Sequence, residues 1–250
     1  MKEIENILSS YEGGWENEGG MALPHVDEIQ PEKVPTKELE KRIAEGMKVD
    51  TLSLFPVEVF KIQTDGIDNK KLSDIVYEKE KNETSGQKPN MGGWRSLGNL
   101  IDDKRFIKIL ENVDKGFQTV HETNNYIDEV KIIVESMWVN VNRPTNYNKS
   151  HIHAEVHWSF VYYIKVQEKS GDLVFVDPRI RRTMQTQALF KQDYYTLASA
   201  AIISITPDVG DLIIFPSYLE HFVEPNLSEE PRISISGNII IINVGKPLSL

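Results

Sequence analysis

The sequence predicts a mainly β fold with flanking helices, of the jelly-roll type. From about residue 129 onward, short runs rich in β-branched and aromatic residues follow one another, with Gly, Pro, Asn and Asp between them. No long helical pattern interrupts these runs, although two helical patterns precede them. Closely spaced strands without intervening helices are typical of β-sandwiches and barrels rather than of alternating βαβ units.

The first fifty residues differ from the rest of the chain. They are rich in Glu, Gly and Pro and hold one short helical candidate over residues 36–46. Thr36 is a suitable N-cap for that helix. We therefore expect an N-terminal extension over residues 1–50, partly helical or irregular, followed by one jelly-roll domain over residues 51–250.

Within that domain, residues 51–128 are expected to form a strand plus helices. The segment 51–62 alternates apolar and polar residues and predicts a strand. Residues 68–80 and 103–123 have helical patterns, and the second carries an apolar stripe of helical period. The β core is expected over residues 129–250, with strand patterns at 130–141, 151–166, 171–177, 198–207, 210–217 and 232–243.

Composition narrows the chemistry that the chain can perform. It contains no cysteine, which excludes disulfide scaffolds, thiolate metal sites and thiol nucleophiles. Its formal charge of −10 argues against nucleic acid as a partner, because such binders need a basic face. No run approaches the roughly 18 apolar residues of a membrane span, and the start does not resemble a signal peptide. We therefore expect a cytoplasmic protein with no membrane partner.

Histidines form the first candidate site. His151 and His153 are two residues apart in a predicted strand, so both would project from one face and reach one metal ion. Glu155 continues the same alternation and offers a carboxylate ligand instead. Two histidines and one carboxylate with open positions are typical of non-haem Fe(II) oxygenases. His157 lies too far along the strand and is expected to be structural.

Two further candidates come later in the chain. His221 follows the apolar strand pattern GDLIIFPS after a short turn and is a candidate third ligand. Arg232 and Ser234 share one face of the strand RISIS, whose isoleucines point the other way. A planar guanidinium in such a position suits the bidentate capture of a carboxylate.

These motifs, in this order, resemble the 2-oxoglutarate- and Fe(II)-dependent oxygenase superfamily. The pattern HxH, SFVYYI, SGDLVFVDPR, GDLIIFPSYLEHFVEP and RISISGN is similar to a family of oxygenases from marine bacteria and their phages. Upstream elements at 54–56, 92–96 and 138–142 fit the same family. The resemblance extends from about residue 51 to the C-terminus and implies the double-stranded β-helix form of the jelly roll.

The resemblance also implies cofactors and roles. The cofactors would be Fe(II) and 2-oxoglutarate, with O₂ as co-substrate. His151 and His221 would be iron ligands, and Arg232 would bind the far carboxylate of 2-oxoglutarate. The other residues implied for cofactor binding are Ser234, Tyr163, Ser159, Asn142 and Asn140, with Tyr163 preferred over Tyr162 because it shares the parity of Ser159.

The chain departs from the pattern in two places. The superfamily's usual carboxylate is replaced by His153, so either iron has three histidines or Glu155 or a water completes the shell. Phe160 replaces a glycine and would narrow or reshape the substrate cleft. Two alternatives therefore stay open, a non-catalytic jelly-roll binding module and a cupin-like three-histidine metalloenzyme. The prime substrate, a small molecule or a protein side chain, is not identified by the sequence, and a homodimer is a possible assembly.

Overall fold

The computed structural model describes residues 55–86, 90–179 and 200–245, together with Gly46. The expectations for residues 1–50 fall almost wholly outside these ranges, and the division of the chain at residue 50 stays a prediction. The described elements, in chain order, are β1 Phe60–Gln63, α1 Asn69–Asn82, β2 Asn90–Met91, β3 Trp94–Arg95, a 3₁₀ turn Lys104–Phe106, α2 Ile107–Thr123, β4 Val130–Asn142, β5 Tyr147–His151, β6 Trp158–Lys165, β7 Leu173–Val176, β8 Ile202–Ile205, β9 Asp211–Pro216, β10 His221–Val223 and β11 Arg232–Asn243.

The strands form two antiparallel sheets. The larger has the order β1-β9-β6-β11-β4-β3, and the smaller has the order β2-β5-β10-β7-β8. Strands that are distant in sequence lie side by side, as a jelly roll requires. The predicted mainly β fold with flanking helices is therefore confirmed.

The two helices lie where their patterns predict. Helix α1 begins after Asp68, whose carboxylate accepts a hydrogen bond from the Lys71 amide at 3.0 Å. Helix α2 starts with the 3₁₀ turn, so its regular part begins at Ile107 rather than at residue 103. None of the helices in the described ranges is long and apolar enough to cross a membrane.

The strand predicted at residues 51–62 is shorter in the structure. Residues 51–54 are outside the described ranges, and regular pairing begins only at Phe60. Pro56 lies in the irregular part, where it would have no N–H to offer a neighbouring strand. The prediction of a strand from residue 55 to residue 59 is therefore wrong.

Two apolar cores follow from the alternation of the central strands. Ile233 and Ile235 of β11 face the helices and pack with Val113, Phe117 and other residues of the first core. The second core lies between the sheets and contains Val161, Tyr163, Leu173, Phe175, Ile205, Ile213, Phe215 and Leu219. Because alternate residues of a strand face opposite sides, Arg232, Ser234 and Ser236 point away from the helices, toward the space between the sheets.

Candidate metal centre

Three histidines meet at one end of the space between the sheets. His151 ends β5 and is paired with His221, which begins β10. Each of His151, His153 and His221 offers a ligand nitrogen, and these atoms lie within 4.8 Å of one another. The ring centroids of His151 and His221 are 4.3 Å apart, and that of His153 is 5.1 Å from His151 and 5.2 Å from His221. Such a cluster has the size of a single-ion site.

His153 does not reach this centre by strand alternation. Strand β5 ends at His151 and β6 begins at Trp158, so the prediction of one strand over 151–166 is wrong. The intervening loop includes Glu155 at φ 64°, a left-handed conformation that no regular strand contains. The His153 amide donates to the Ser217 carbonyl at 3.0 Å and ties this loop to the turn before His221.

The alternative ligand set, in which the Glu155 carboxylate binds the metal, is not formed at the centre. Glu155 is exposed, and within the described ranges the potential ligand group consists of the three histidines. His157 has a structural contact, because its Nδ1 atom accepts a hydrogen bond from the Ile241 amide at 3.1 Å.

In each histidine of the centre the Nδ1 atom makes a hydrogen bond with a neighbouring protein group. His151 Nδ1 is 2.7 Å from the Lys149 carbonyl, and His221 Nδ1 is 2.9 Å from the Leu219 carbonyl. A carbonyl oxygen can only accept, so in these two rings Nδ1 carries the proton. The lone pair of Nε2 is then available, which is the arrangement typical of metal-binding histidines.

Burial keeps the three imidazoles neutral at physiological pH. It lowers the pKa of His151 and of His153, and it lowers the pKa of His221 to about 3. For His221 the neighbouring His151 adds to this effect, because two cations so close would repel each other. Neutral imidazole is the form that binds a metal, so little proton release would accompany binding at pH 7.

The lowered pKa values predict how the stability of the metal-free protein depends on pH. Unfolded histidine has a pKa of about 6.5. Below that pH these histidines bind protons in the unfolded chain but stay neutral in the folded centre. The part of the unfolding free energy that these histidines contribute is therefore expected to be constant above about pH 7 and to fall as the pH drops below about 6.5. Urea denaturation of metal-free protein at pH 7.5 and 5.5 measures this. A His221→Asn variant should lose part of the pH dependence, and an unchanged dependence would contradict the assignment.

A cavity joins the histidines to a buried arginine. Its lining includes the three histidines and Arg232, which is only 1% exposed. The other lining residues are Trp138, Asn140, Asn142, Asn148, Phe160, Val161, Tyr163, Leu173, Phe215, Val223, Ser234 and Ser236.

Strand register explains why the predicted cofactor residues converge. In the pairing of β11 with β4, Arg232 lies opposite Asn142 and Ser234 lies opposite Asn140. In the pairing of β11 with β6, Ser234 lies opposite Tyr163. Opposed residues share a face of the sheet, so these five side chains line one wall of the cavity.

Arg232 is held by backbone oxygens. Its Nη1 atom donates to the carbonyls of Ser170 and Gly171. Burial lowers the pKa of the guanidinium, while the nearby side chains of Tyr163, Asp172 and Glu224 oppose that effect. Arginine remains charged in such surroundings, so a fixed cation lies at the cavity wall. Burial also raises the pKa of Tyr163, which keeps its hydroxyl protonated.

The asparagines give the cavity an unsatisfied polar atom. Asn142 Nδ2 donates to the side-chain oxygens of Asn90 and Asn148, each at 3.1 Å. Asn140 Nδ2 donates to Ser236 Oγ at 3.2 Å, but its buried Oδ1 has no partner among the described residues. Buried polar atoms are rarely left unpaired, so this orphan suits a cavity whose hydrogen bonds a ligand completes.

Ser159 lies elsewhere than the cofactor role would require. It is not among the lining residues, and its hydroxyl is 3.0 Å from His153 Nδ1.

Phe160 is 1% exposed, and its ring fills the space above Gly237, where a Cβ atom would overlap it. At the position where the family pattern has a glycine, the Phe160 ring therefore packs into the core and also borders the cavity.

The glycine that supports Arg232 allows a test of this arrangement. Gly171 has φ 90°, and a Cβ atom there would lie 2.9 Å from Arg232 Nη1 and would overlap the Glu224 carbonyl. Gly171→Ala is expected to cost about 1–3 kcal/mol of unfolding free energy and to displace the guanidinium. Gly98→Ala is the matched control, because Gly98 has φ 74° but no atom within 4 Å of that position. Urea denaturation measures both, and equal losses would contradict the steric argument.

The sequence segment that holds the centre has a family match. Residues 136–238 match the model of the family described as "Putative 2OG-Fe(II) oxygenase". The matched segment includes the three histidines, Arg232 and Ser234, and the expected resemblance to 2OG-Fe(II) oxygenases is confirmed. The narrower resemblance to a family of marine bacteria and their phages stays a prediction. No curated protein sequence matches the chain.

Solved structures share the fold at low sequence identity. A prolyl-4-hydroxylase from Pseudomonas putida is 13% identical, with a TM-score of 0.51 over 74% of this chain and 92% of that chain. The carbocyclase SnoK of nogalamycin biosynthesis is 12% identical, with a TM-score of 0.51 over 73% and 80% of the two chains. The epimerase SnoN of the same biosynthesis is 10% identical, with a TM-score of 0.50 over 77% and 83%. These likenesses support the jelly-roll fold.

The residues present fit the cofactors that the 2OG-Fe(II) oxygenase family implies. Neutral imidazole nitrogens are suitable ligands for Fe(II). The carboxylates of 2-oxoglutarate only accept hydrogen bonds, and Arg232, Ser234 and Tyr163 supply a cation and two hydroxyl donors. The orphaned Asn140 oxygen lies on the same wall, and a half-turn of its amide would direct a donor to the cavity.

Sequence reasoning missed one contact of this site. Asn238 Oδ1 lies against His153 Nδ1 within hydrogen-bonding distance. Its parity with Arg232, Ser234 and Ser236 along β11 was a signal that it faces the same side of the sheet.

Proposed function

We propose that the protein is a 2-oxoglutarate- and Fe(II)-dependent dioxygenase that hydroxylates a prime substrate. The observation that carries this proposal is that three histidines and the buried Arg232 line the same cavity. Metal ligands and a carboxylate-binding cation are the two requirements for holding iron and a 2-oxo acid side by side.

Each group has a defined role in this proposal. His151, His153 and His221 hold the metal, and Arg232 with Ser234 and Tyr163 binds the far carboxylate of 2-oxoglutarate. Asn140 and Asn142 line the pocket beside the cofactor. Fe(II) with 2-oxoglutarate supplies the activation of O₂, one oxygen atom of which enters the substrate and the other succinate, with CO₂ as the remaining product. The protein orients the reactants and excludes water.

The lining offers no carboxylic acid for a competing mechanism. Within the described part of the chain no carboxylate lines the cavity, and its titratable residues are the three histidines, Tyr163 and Arg232. Three neutral ligands leave both charges of Fe(II) uncompensated by the protein. A dianionic cofactor balances them, so we expect metal and 2-oxoglutarate to strengthen each other's binding.

The prime substrate would approach past two exposed apolar side chains. Ile152 is 55% exposed between two of the ligands, and Tyr218 is 57% exposed in the turn before His221. The hydrogen bond from His153 to Ser217 brings their two loops together. Known proteins of this fold include a prolyl-4-hydroxylase and a carbocyclase, so a protein side chain and a small molecule both remain candidate substrates.

The three-histidine set favours a second candidate. A cupin-like metalloenzyme would use three histidines and an organic substrate other than a 2-oxo acid. Such an enzyme would have no need for Arg232 in the cavity wall, and we therefore prefer the dioxygenase. A non-catalytic binding module would retain the cavity and perform no turnover.

Conversion of 2-oxoglutarate to succinate distinguishes the three candidates. The dioxygenase is expected to form succinate slowly with Fe(II) and O₂ even without prime substrate, and to lose this activity in Arg232→Met. Proton NMR of the reaction mixture measures both compounds. The cupin-like enzyme would neither bind nor convert 2-oxoglutarate, and the binding module would bind it unchanged.

Assembly and location remain predictions of this proposal. A homodimer would be detected by sedimentation of the purified chain. A cytoplasmic location, in a bacterial cell or a phage-infected host, would be tested by cell fractionation.

A further inference from the structure

Asn238 is a polar residue of β11 that neither belongs to the histidine cluster nor lines the cavity. Its side-chain oxygen makes a hydrogen bond with His153 Nδ1. The corresponding partners of His151 and His221 are backbone carbonyls close in sequence, whereas His153 Nδ1 contacts two side chains, those of Asn238, 85 residues away, and Ser159. Contacts made by side chains depend on residue identity, so a substitution of Asn238 can remove its contact with His153.

The sheet holds Asn238 in place from both sides. Across β4 it lies opposite Ser136, and across β6 it lies opposite Ser159. The register of β4 shifts directly after Asn238, which marks a bulge beside the site. These three residues form a small polar layer behind His153.

The amide of Asn238 is oriented with its oxygen toward His153. Asn238 Nδ2 donates to Ser136 Oγ at 3.0 Å, which leaves Oδ1 directed at His153. The Ser159 hydroxyl lies 3.2 Å from Oδ1 and donates to it. Because an amide oxygen can only accept, the proton of the neutral His153 ring must be on Nδ1, and Nε2 is left with its lone pair.

The contact with Asn238 explains how His153 can serve as a ligand at the position where the superfamily usually has a carboxylate. A carboxylate has two equivalent oxygens and needs no tautomer to be selected, whereas a neutral imidazole binds a metal through one nitrogen only when the proton is on the other. We propose that Asn238 is a positioning residue that holds His153 in the orientation and tautomer required of a third metal ligand. The inference rests on the metal centre of the proposed function.

Metal titration of the full-length chain tests the proposal. Co(II) is titrated into metal-free wild type, Asn238→Leu, Asn238→Asp and the control Asn243→Leu, which alters an exposed residue of the same strand. Asn238→Leu removes the acceptor at similar volume and is expected to weaken Co(II) binding about 10- to 100-fold. Asn238→Asp keeps an acceptor and is expected to bind at least as tightly as wild type, as is Asn243→Leu.

Nitrogen NMR of the metal-free protein gives a second measurement that a merely structural role would not affect. At pH 8 the His153 ring is expected to carry its proton on Nδ1 in wild type and in Asn238→Asp, and to show the other tautomer in Asn238→Leu. A proton on Nε2 in wild type would overturn the inference, and so would equal Co(II) affinity of wild type and Asn238→Leu.

The two proposals can fail separately. If wild type binds no Co(II), the metal centre is refuted, whereas a loss in Asn238→Asp as large as in Asn238→Leu refutes only the role of Asn238. If Asn238→Leu fails to fold, the His153 tautomer in wild type and the Co(II) affinity of Asn238→Asp still test the role of Asn238.

Discussion

His153→Ala is expected to weaken Fe(II) binding at least about 100-fold, while Glu155→Ala leaves it unchanged. Losing a residue that merely orients a ligand costs 10- to 100-fold in metal affinity, so losing a ligand itself should cost no less. His153 contributes a nitrogen to the cluster, whereas Glu155 is exposed and outside it. Anaerobic titration of metal-free protein, followed by calorimetry, measures both affinities.

The pair of variants decides between the two ligand sets that the sequence leaves open. Thermal unfolding of the metal-free variants is the control, since an altered fold would weaken binding for another reason. If His153→Ala keeps full affinity and Glu155→Ala loses it, the three-histidine centre is wrong and a carboxylate completes the shell.

Arg232→Met is expected to weaken 2-oxoglutarate binding by at least about 30-fold. Removing one partner of a buried, hydrogen-bonded charge pair costs about 2–5 kcal/mol, and each 1.4 kcal/mol is about tenfold in affinity. Methionine retains much of the side chain's bulk but removes the charge and the donors. Calorimetry with metal-loaded protein under argon measures the dissociation constant.

Two controls separate loss of the anion site from loss of the fold. Arg232→Lys retains the charge but not the planar fork, so an intermediate affinity is expected. Co(II) affinity should be unchanged in both variants, because Arg232 belongs to the cavity wall and not to the histidine cluster. Wild-type affinity of Arg232→Met for 2-oxoglutarate would show that the guanidinium does not bind the cofactor.

The wall of the cavity was the most predictable part of the site. Strand β11 is regular from Arg232 to Asn243, and side chains of a strand alternate with a period of two. The sequence RISIS is therefore enough to place Arg232 and Ser234 on one face and the isoleucines on the other. The burial of Ile233 and Ile235 in the helix-facing core agrees with this.

The loop that carries His153 was not predictable in the same way. The segment 151–166 alternates well enough to suggest one strand, yet Glu155 adopts φ 64° and the chain turns there. The turn is stabilised by a hydrogen bond to Ser217, a residue 64 positions away, as well as by local sequence. Interactions of that range are invisible to a periodicity argument.

The role of Asn238 required strand register as well as parity. Parity places it on the cavity side of β11, but only the pairing of β11 with both β4 and β6 brings it between Ser136 and Ser159. The same pairing places the Ser159 hydroxyl beside His153 Nδ1. The resemblance had instead implied that Ser159 contacts the cofactor.

The dependence of 2-oxoglutarate binding on metal is the most direct test of the central claim, that the histidines and Arg232 form one site. If the 2-oxo acid contacts both the metal and Arg232, its affinity must rise when the histidines are loaded, and metal affinity must rise by the same factor when it is present. Anaerobic calorimetry with Co(II)-loaded and metal-free wild type gives both constants. We expect at least tenfold tighter binding to the loaded protein. Equal affinities, or no binding to either form, would contradict the account.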